Sequence, residues 1–350
     1  MHNFRYIAIT IALFLNISVF AQMGGKNTFD FLELTNSARS AALGGKLISI
    51  QDNDLNLSFE NPSLLNPSND NQLLFNYVNY FSDINYGYVS YAKDISNIGT
   101  FAGGIQYLNY GTFVRADETG IKDGTFTAAD YSFNILYSNK IDSMINFGAN
   151  LKTIYSHLDS YTSFGMALDL GLNYFNPESQ LLLTVVAKNI GKQFKPYVED
   201  NYEPLPFDIQ VGVSKKFAHA PFRFSIVAHH LQKFDLTFDN PQDPDLTPDP
   251  ITGNVKSKSK FEKYGDMFLR HIIVGIEISP IKNFFLRFGY NHQRRMQMEL
   301  FTSNGFSGIS WGIGVKLYKF RFSYGNAVYH VAGSSHHFSI TTNFSDWKKK

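Results

Sequence analysis

Residues 161–175 read Y-T-S-F-G-M-A-L-D-L-G-L-N-Y-F, with apolar and small or polar positions alternating through most of the run. Successive side chains of an extended strand point to opposite faces. Phe164, Met166, Leu168, Leu170, Leu172 and Tyr174 therefore share one face; Gly165, Ala167, Asp169, Gly171 and Asn173 share the other. One face is apolar with an aromatic near each end, and the opposite face is small and polar. The same period recurs at Ile145/Phe147/Ala149/Leu151, Phe207/Ile209/Val211/Val213, Ile272/Val274/Ile276/Ile278, Phe284/Leu286/Phe288/Tyr290 and Ile309/Trp311/Ile313/Val315/Leu317. Strands of about 9–11 residues tilted by about 45° cross a bilayer, with aromatic girdles at both interfaces and a polar lumen. The pattern predicts an all-β protein, a 14-stranded antiparallel transmembrane β-barrel.

The strands are expected near 72–81, 84–93, 98–110, 126–138, 144–157, 161–175, 180–190, 205–217, 221–235, 269–279, 283–293, 307–318, 320–329 and 333–344. The first three are the least distinct, because Gly99, Gly103 and Gly104 blur the alternation. Every second connection is short, and the long ones, 111–125, 191–204, 236–268 and 294–306, all fall between them. Bacterial barrels have short periplasmic turns, longer extracellular loops and an even strand number. The parity places both termini in the periplasm and the long loops outside the cell.

Two segments stand apart from the barrel at 72–344. In residues 1–21 a basic start (His2, Arg5) precedes an apolar core, Ile7–Leu15, and the small residue Ala21, which is the form of a signal peptide. Residues 22–71 hold short apolar pieces, Gly44-Gly45, and the pairs Asn61-Pro62 and Asn66-Pro67. Proline fixes φ and biases its predecessor toward extended or turn conformations, so this stretch is compact but irregular. It is too small to fold alone. The economical reading is a plug, or hatch, inside the lumen; the alternative is a periplasmic extension. Residues 345–350 form a basic periplasmic tail.

Composition narrows the class. The chain has no cysteine, so an exported protein of this size must hold together without disulfides, which a barrel with every strand paired can do. Its 20 tyrosines and 33 phenylalanines suit strands and membrane interfaces. A net charge of +1 gives no basis for nucleic-acid binding.

Candidate chemistry is sparse. Adjacent residues on a strand face opposite sides, so His229-His230 and His336-His337 are not expected to chelate one ion, and no metal or other cofactor is assigned. No hydrolase motif such as G-x-S-x-G occurs, and no enzyme activity is expected. The lumen face carries Lys152, Lys188, Arg223, Arg287, Lys316 and Arg321 against Asp169, Asp208 and Glu277; the plug carries Asp30, Glu33, Asp52, Asp54 and Glu60. Opposite charges at low dielectric should pair, with Asp52, Asp54 and Glu60 meeting the lumen cations; the alternative is a solvated lumen. Loop 236–268 sets Asp239, Asp243, Asp245 and Asp249 among prolines, then Lys256, Lys258, Lys260 and Lys263. It lacks the glycine and terminal glutamate of a calcium loop. A stiff, charge-segregated loop suits partner docking.

The stretch Ser37–Gly45 (S-A-R-S-A-A-L-G-G), then Ile48-Ser49-Ile50, Asp52, Asp54, Glu60-Asn61-Pro62 and Leu65-Asn66-Pro67, resembles the N-terminal region of the PorV/PorQ family. Asn76–Phe81 and Asp83–Ala92 are similar to its PorQ branch, so the match covers roughly residues 29–92. The resemblance implies a FadL-like barrel with an N-terminal plug, in the outer membrane of the Bacteroidota. It implies a non-enzymatic role in type IX secretion, within a cell-surface attachment complex with PorU and PorV. There the chain would anchor a PorZ-like, lipopolysaccharide-binding subunit while a sortase-like component links cargo to anionic lipopolysaccharide. The alternative is a FadL-like transporter of hydrophobic small molecules with a lateral opening. That needs an apolar lumen pocket and a kinked strand, for which Gly103-Gly104 is the candidate.

Overall fold

A computed structural model describes residues 27–80, 83–237, 259–298, 307–330 and 333–347. The expected signal peptide, Asp239, Asp243, Asp245, Asp249, Lys256 and Lys258, and residues 348–350 of the tail lie outside the described residues.

Fourteen antiparallel strands form a closed barrel: β1 (Gln72–Asn79), β2 (Asn85–Ile95), β3 (Gly99–Ala116), β4 (Lys122–Lys140), β5 (Ile145–Leu158), β6 (Tyr161–Asn176), β7 (Leu181–Lys195), β8 (Asp208–Lys216), β9 (Phe222–Ala228), β10 (Ile272–Ile281), β11 (Phe284–Asn291), β12 (Ile309–Leu317), β13 (Phe320–His330) and β14 (Gly333–Asn343). Each pairs with its sequence neighbours, and β1 closes on β14 through Gln72↔Asn343 to Asn79↔His336. Alternation sets the two faces as expected. On β6, Ser163, Gly165, Ala167, Asp169, Gly171 and Asn173 are buried, while Leu170, Leu172 and Tyr174 are exposed. Around the wall the exposed positions include Phe75, Ile105, Phe133, Ile135, Leu151, Val185, Ile226, Phe288, Trp311 and Ile340. An apolar belt this continuous is far larger than water tolerates and belongs in lipid. No helix among the described residues is long and apolar enough to cross a membrane; the strands do the crossing.

Several boundaries differ from the sequence reading, and β7 runs on to Lys195, into the expected loop 191–204. Most of 111–125 is hairpin rather than loop: β3 and β4 pair to Ala116↔Lys122, and Asp117 closes the turn by accepting from the Thr119 and Ile121 amides. The strand expected over 221–235 ends at Ala228. Within 236–268, the helix α3 (Lys260–Arg270) begins at Lys260, capped reciprocally by Ser259 and Glu262. A short helix α4 (His292–Gln297) follows β11. The wall is also uneven. Strands β3 to β7 are 14–19 residues long, whereas β8 has nine and β9 seven.

Residues 27–71 pack against inward-facing side chains of the wall. The helix α1 (Ala38–Ala42) is capped by Ser37, whose hydroxyl accepts from the Arg39 and Ser40 amides. It lies against β12–β14, where Ser339 Oγ accepts from the Ala38 amide and Ser310 Oγ donates to the Ala42 carbonyl. A second helix, α2 (Asn56–Glu60), leads into two 3-10 turns, Pro62–Leu64 and Pro67–Asn69. The two Asn-Pro pairs make these turns: each asparagine side chain accepts an amide two residues on, and each proline occupies the first helical position. Plug and wall share apolar clusters, such as Phe29, Phe31 and Leu32 with Val78, Tyr86 and Ile154, or Leu55 and Phe59 with Leu74, Tyr88 and Leu136. Gly148 and Gly171 are two of the wall positions that permit close approach. A Cβ on either would collide with Pro62 or with the Asn61 side chain.

Candidate functional site

The plug is held by charge as well as by packing, and the main contact is centred on Arg39 of α1. Its Nε donates to Glu277 Oε2 at 2.9 Å and its Nη2 to Glu277 Oε1 at 2.8 Å. Nη2 also meets Asp52 Oδ2 at 2.9 Å, and Nη1 reaches Asp52 Oδ1 at 3.1 Å and Asp54 Oδ2 at 3.0 Å. All five guanidinium donors are thus used, two carboxylates being gripped bidentately. Arg223 bridges the same Asp52 and Glu277 at 3.2 and 3.1 Å, and Arg287 donates to Glu277 at 2.8 Å. Three arginines face three carboxylates, so the knot is neutral. Burial opposes charge on Asp52, but Arg39 and Arg223 outweigh it and hold its carboxyl far below the ordinary range. Burial likewise opposes charge on Arg39, yet Asp52, Glu277 and Asp54 hold its pKa above the ordinary value.

Other expected pairings resolve differently. Glu60 meets Lys188 at 3.2 Å, a plug-to-wall pair of the expected polarity. Lys152 instead pairs within the wall, with Asp169 at 2.7 Å and the Asn189 side-chain oxygen at 2.8 Å. Asp54 binds Arg39 of its own segment, and Arg287 reaches a wall carboxylate. Arg321 donates to the Asn53 side chain at 2.7 Å, and Lys316 is exposed with no plug contact among the described residues. The acids are not the plug's only charges: its described residues also hold two cations. Arg39, inside the Ser37–Gly45 stretch, is one; Lys46 is the other, 2.6 Å from Asp208 at the foot of β8. Burial opposes its charge, but Asp208 and Glu33 raise its pKa above the ordinary value.

The histidine pairs separate. His336 and His337 lie on β14, and their rings take opposite sides: His337 is buried, and His336 Nδ1 meets the outward Tyr324 hydroxyl at 2.7 Å. His229 and His230 follow the end of β9, so the alternation argument does not govern them. His230 has φ of 53°, and the two rings lie 4.7 Å apart.

The requirements of a lateral channel, an apolar lumen pocket and a kinked strand, are not met at Gly103 and Gly104. The pairings of Gly103 and Gly104 with β2 and β4 are unbroken, and the Gly104 site is covered by Tyr88. A register shift between β6 and β7 leaves Asn189 at φ of 59°. Asp169 closes it by accepting from the Asn189 amide at 2.8 Å. An interior cavity beside this point, lined by Glu33, Lys46, Glu60, Lys188 and Asp208, measures only about 10 Å³ and is charged. An apolar groove of about 600 Å³, lined by Leu172, Leu183, Val185, Val211, Val213 and Ile226, is on the outer, lipid-facing wall.

The fold defines a class: a plugged, fourteen-stranded barrel of the outer-membrane type. No family model matches the sequence, and no curated protein matches it. Among solved structures, the chain is similar to the toluene transporter TodX of P. putida, with a TM-score of 0.53 at 12% identity over 89% of this chain and 99% of that one. It is equally similar to the toluene transporter TbuX of Ralstonia pickettii, with a TM-score of 0.51 at 10% identity over 89% and 99% of the two chains. The shared architecture is the FadL-like barrel.

Proposed function

We propose that this protein is a closed outer-membrane scaffold of the type IX attachment complex. In this reading it anchors a PorZ-like subunit, with PorU and PorV as fellow members, in contact with outer-membrane lipid and lipopolysaccharide. The observation that carries the closed state is the Arg39 knot, which ties plug to wall with every guanidinium donor used. The assignment to type IX secretion rests on the resemblance of residues 29–92. Docking falls to the long connections, taken as extracellular. At that end α3 exposes Phe261, Tyr264 and Phe268, a contact surface of aromatic anchors beside loop 236–268.

A second reading, transport of hydrophobic small molecules, is favoured by the fold shared with two toluene transporters. It requires the plug to move, since the Arg39 knot ties the plug to the wall. Purification from native outer membrane in mild detergent separates the two readings. Co-purifying surface proteins are expected for the scaffold. The barrel alone, carrying bound hydrocarbon or fatty acid, overturns it in favour of transport.

A further inference from the structure

His229 is a buried polar side chain of the lumen. It is 1% exposed, and among the described residues neither ring nitrogen has a hydrogen-bond partner. Buried polar groups are satisfied in native proteins, so an exception calls for a reason. Its neighbours supply one. His230 is turned beside it by the positive φ that follows the end of β9. Asp208, the first residue of β8, accepts from the His230 amide at 2.6 Å and lies 3.4 Å from its Nδ1. One donor atom from each of the three residues lies within 4.8 Å of the other two. Small side-chain rotations bring such a set to the bonds of roughly 2.0–2.2 Å that a divalent ion makes with imidazole and carboxylate.

We propose that Asp208, His229 and His230 bind a divalent transition-metal ion of the zinc type, which replaces the Lys46 ammonium on Asp208. Two imidazoles and one carboxylate suit zinc and its first-row neighbours and not calcium or magnesium, which prefer oxygen. Lys46 has somewhere to go: Glu33, also on the plug, already lies 3.5 Å from its Nζ. Metal occupancy therefore exchanges a plug-to-wall ion pair for one within the plug. The site is the wall's own, at its shortest sector.

The test uses the untagged full-length chain folded in detergent, titrated with Co²⁺ by absorbance and competed with Zn²⁺. One saturable Co²⁺ site displaced by Zn²⁺ is expected. Lys46→Met, which removes the competing ammonium, should tighten binding at least tenfold. His230→Asn should weaken it at least tenfold while the barrel keeps its heat-modifiable gel mobility, because asparagine tolerates the left-handed backbone. His229→Gln supplies an independent variant with the same expected loss. Absence of saturable binding, binding seen only in Lys46→Met, or unweakened binding in either histidine variant overturns the proposal.

Discussion

Arg39 and Lys46 both carry a positive charge from the plug to a wall carboxylate, and they do so with unequal completeness. Arg39 reaches Glu277 from α1 with its donors exhausted and its carboxylates shared with Arg223 and Arg287. Lys46 meets Asp208 through one short contact, keeps Glu33 in reserve, and stands over a histidine without hydrogen-bond partners among the described residues. A planar fork that saturates its neighbours fixes one geometry, whereas a point charge on a flexible stem leaves alternatives. The contrast suggests a plug locked at Arg39 and adjustable at Lys46.

The largest effect is expected from breaking the lock. Arg39→Met leaves Asp52, Asp54 and Glu277 with too few cations in a largely buried site, and should cost about 3–5 kcal/mol. Lys46→Met should cost less, about 1–3 kcal/mol, because one partly satisfied carboxylate is left. Denaturant midpoints of the two variants measure the difference; equal losses would refute the contrast.

A second pair asks whether lumen charges depend on their partners. By strand alternation alone, Asp169→Lys faces the lumen and escapes the lipid penalty of Leu170→Lys. The structure adds a different penalty, because Asp169 is fully buried against Lys152 and a lysine there opposes like charges. Asp169→Lys is therefore expected to cost about 3–5 kcal/mol, and Leu170→Lys, on the exposed apolar face, about 2–4 kcal/mol. Folding yield in detergent and in lipid vesicles separates them, since only Leu170→Lys should be worse in lipid.

Smaller effects attend the packing that supports both contacts. Gly148→Ala pushes Pro62 off the wall and should cost about 1–3 kcal/mol by overpacking. Gly103→Ala meets nothing within 4 Å and should stay within about 0.5 kcal/mol of the parent. Thermal unfolding of the two variants side by side checks this.

The smallest effect is a pH dependence near the Lys46 end. Burial, with Glu33 next, raises the Asp30 carboxyl to about 6. A raised carboxyl contributes stability below its ordinary range, near 3.8, and loses it as pH rises through about 6. Asp52 has the opposite sign: its contribution holds above the ordinary range and is lost only on falling into strong acid. Asp30 is exposed enough for solvent to screen it, so the gain on acidifying from neutrality should stay under about 1 kcal/mol. Asp30→Asn should abolish that slope between the two values; an unchanged slope assigns it elsewhere.

Much of the fold was legible because a two-residue period is local. Residues 161–175 announced both faces of β6, and the Asn-Pro pairs announced turns. Two further signals lie in the sequence. Thr112/Val114 and Thr125/Thr127 continue the strand alternation into the supposed loop, and Arg39 stands openly inside Ser37–Gly45. The end of β9 is marked as well: Phe222, Phe224, Ile226 and Ala228 keep one face apolar, and His230 and Gln232 break it.

By itself the sequence determined which side of each strand meets lipid, how many strands there are, and that residues 22–71 differ from the wall, because those properties follow from neighbouring residues. Tertiary structure alone decided which charges meet. Arg39 and Glu277 are 238 positions apart, and their contact depends on how α1 lies across a closed barrel. It also decided that His229 and His230 share one side, since that turns on where a strand loses its partner and the backbone crosses to positive φ. Alternation assigns a face to each residue; only closure of the sheet around the plug assigns it a partner.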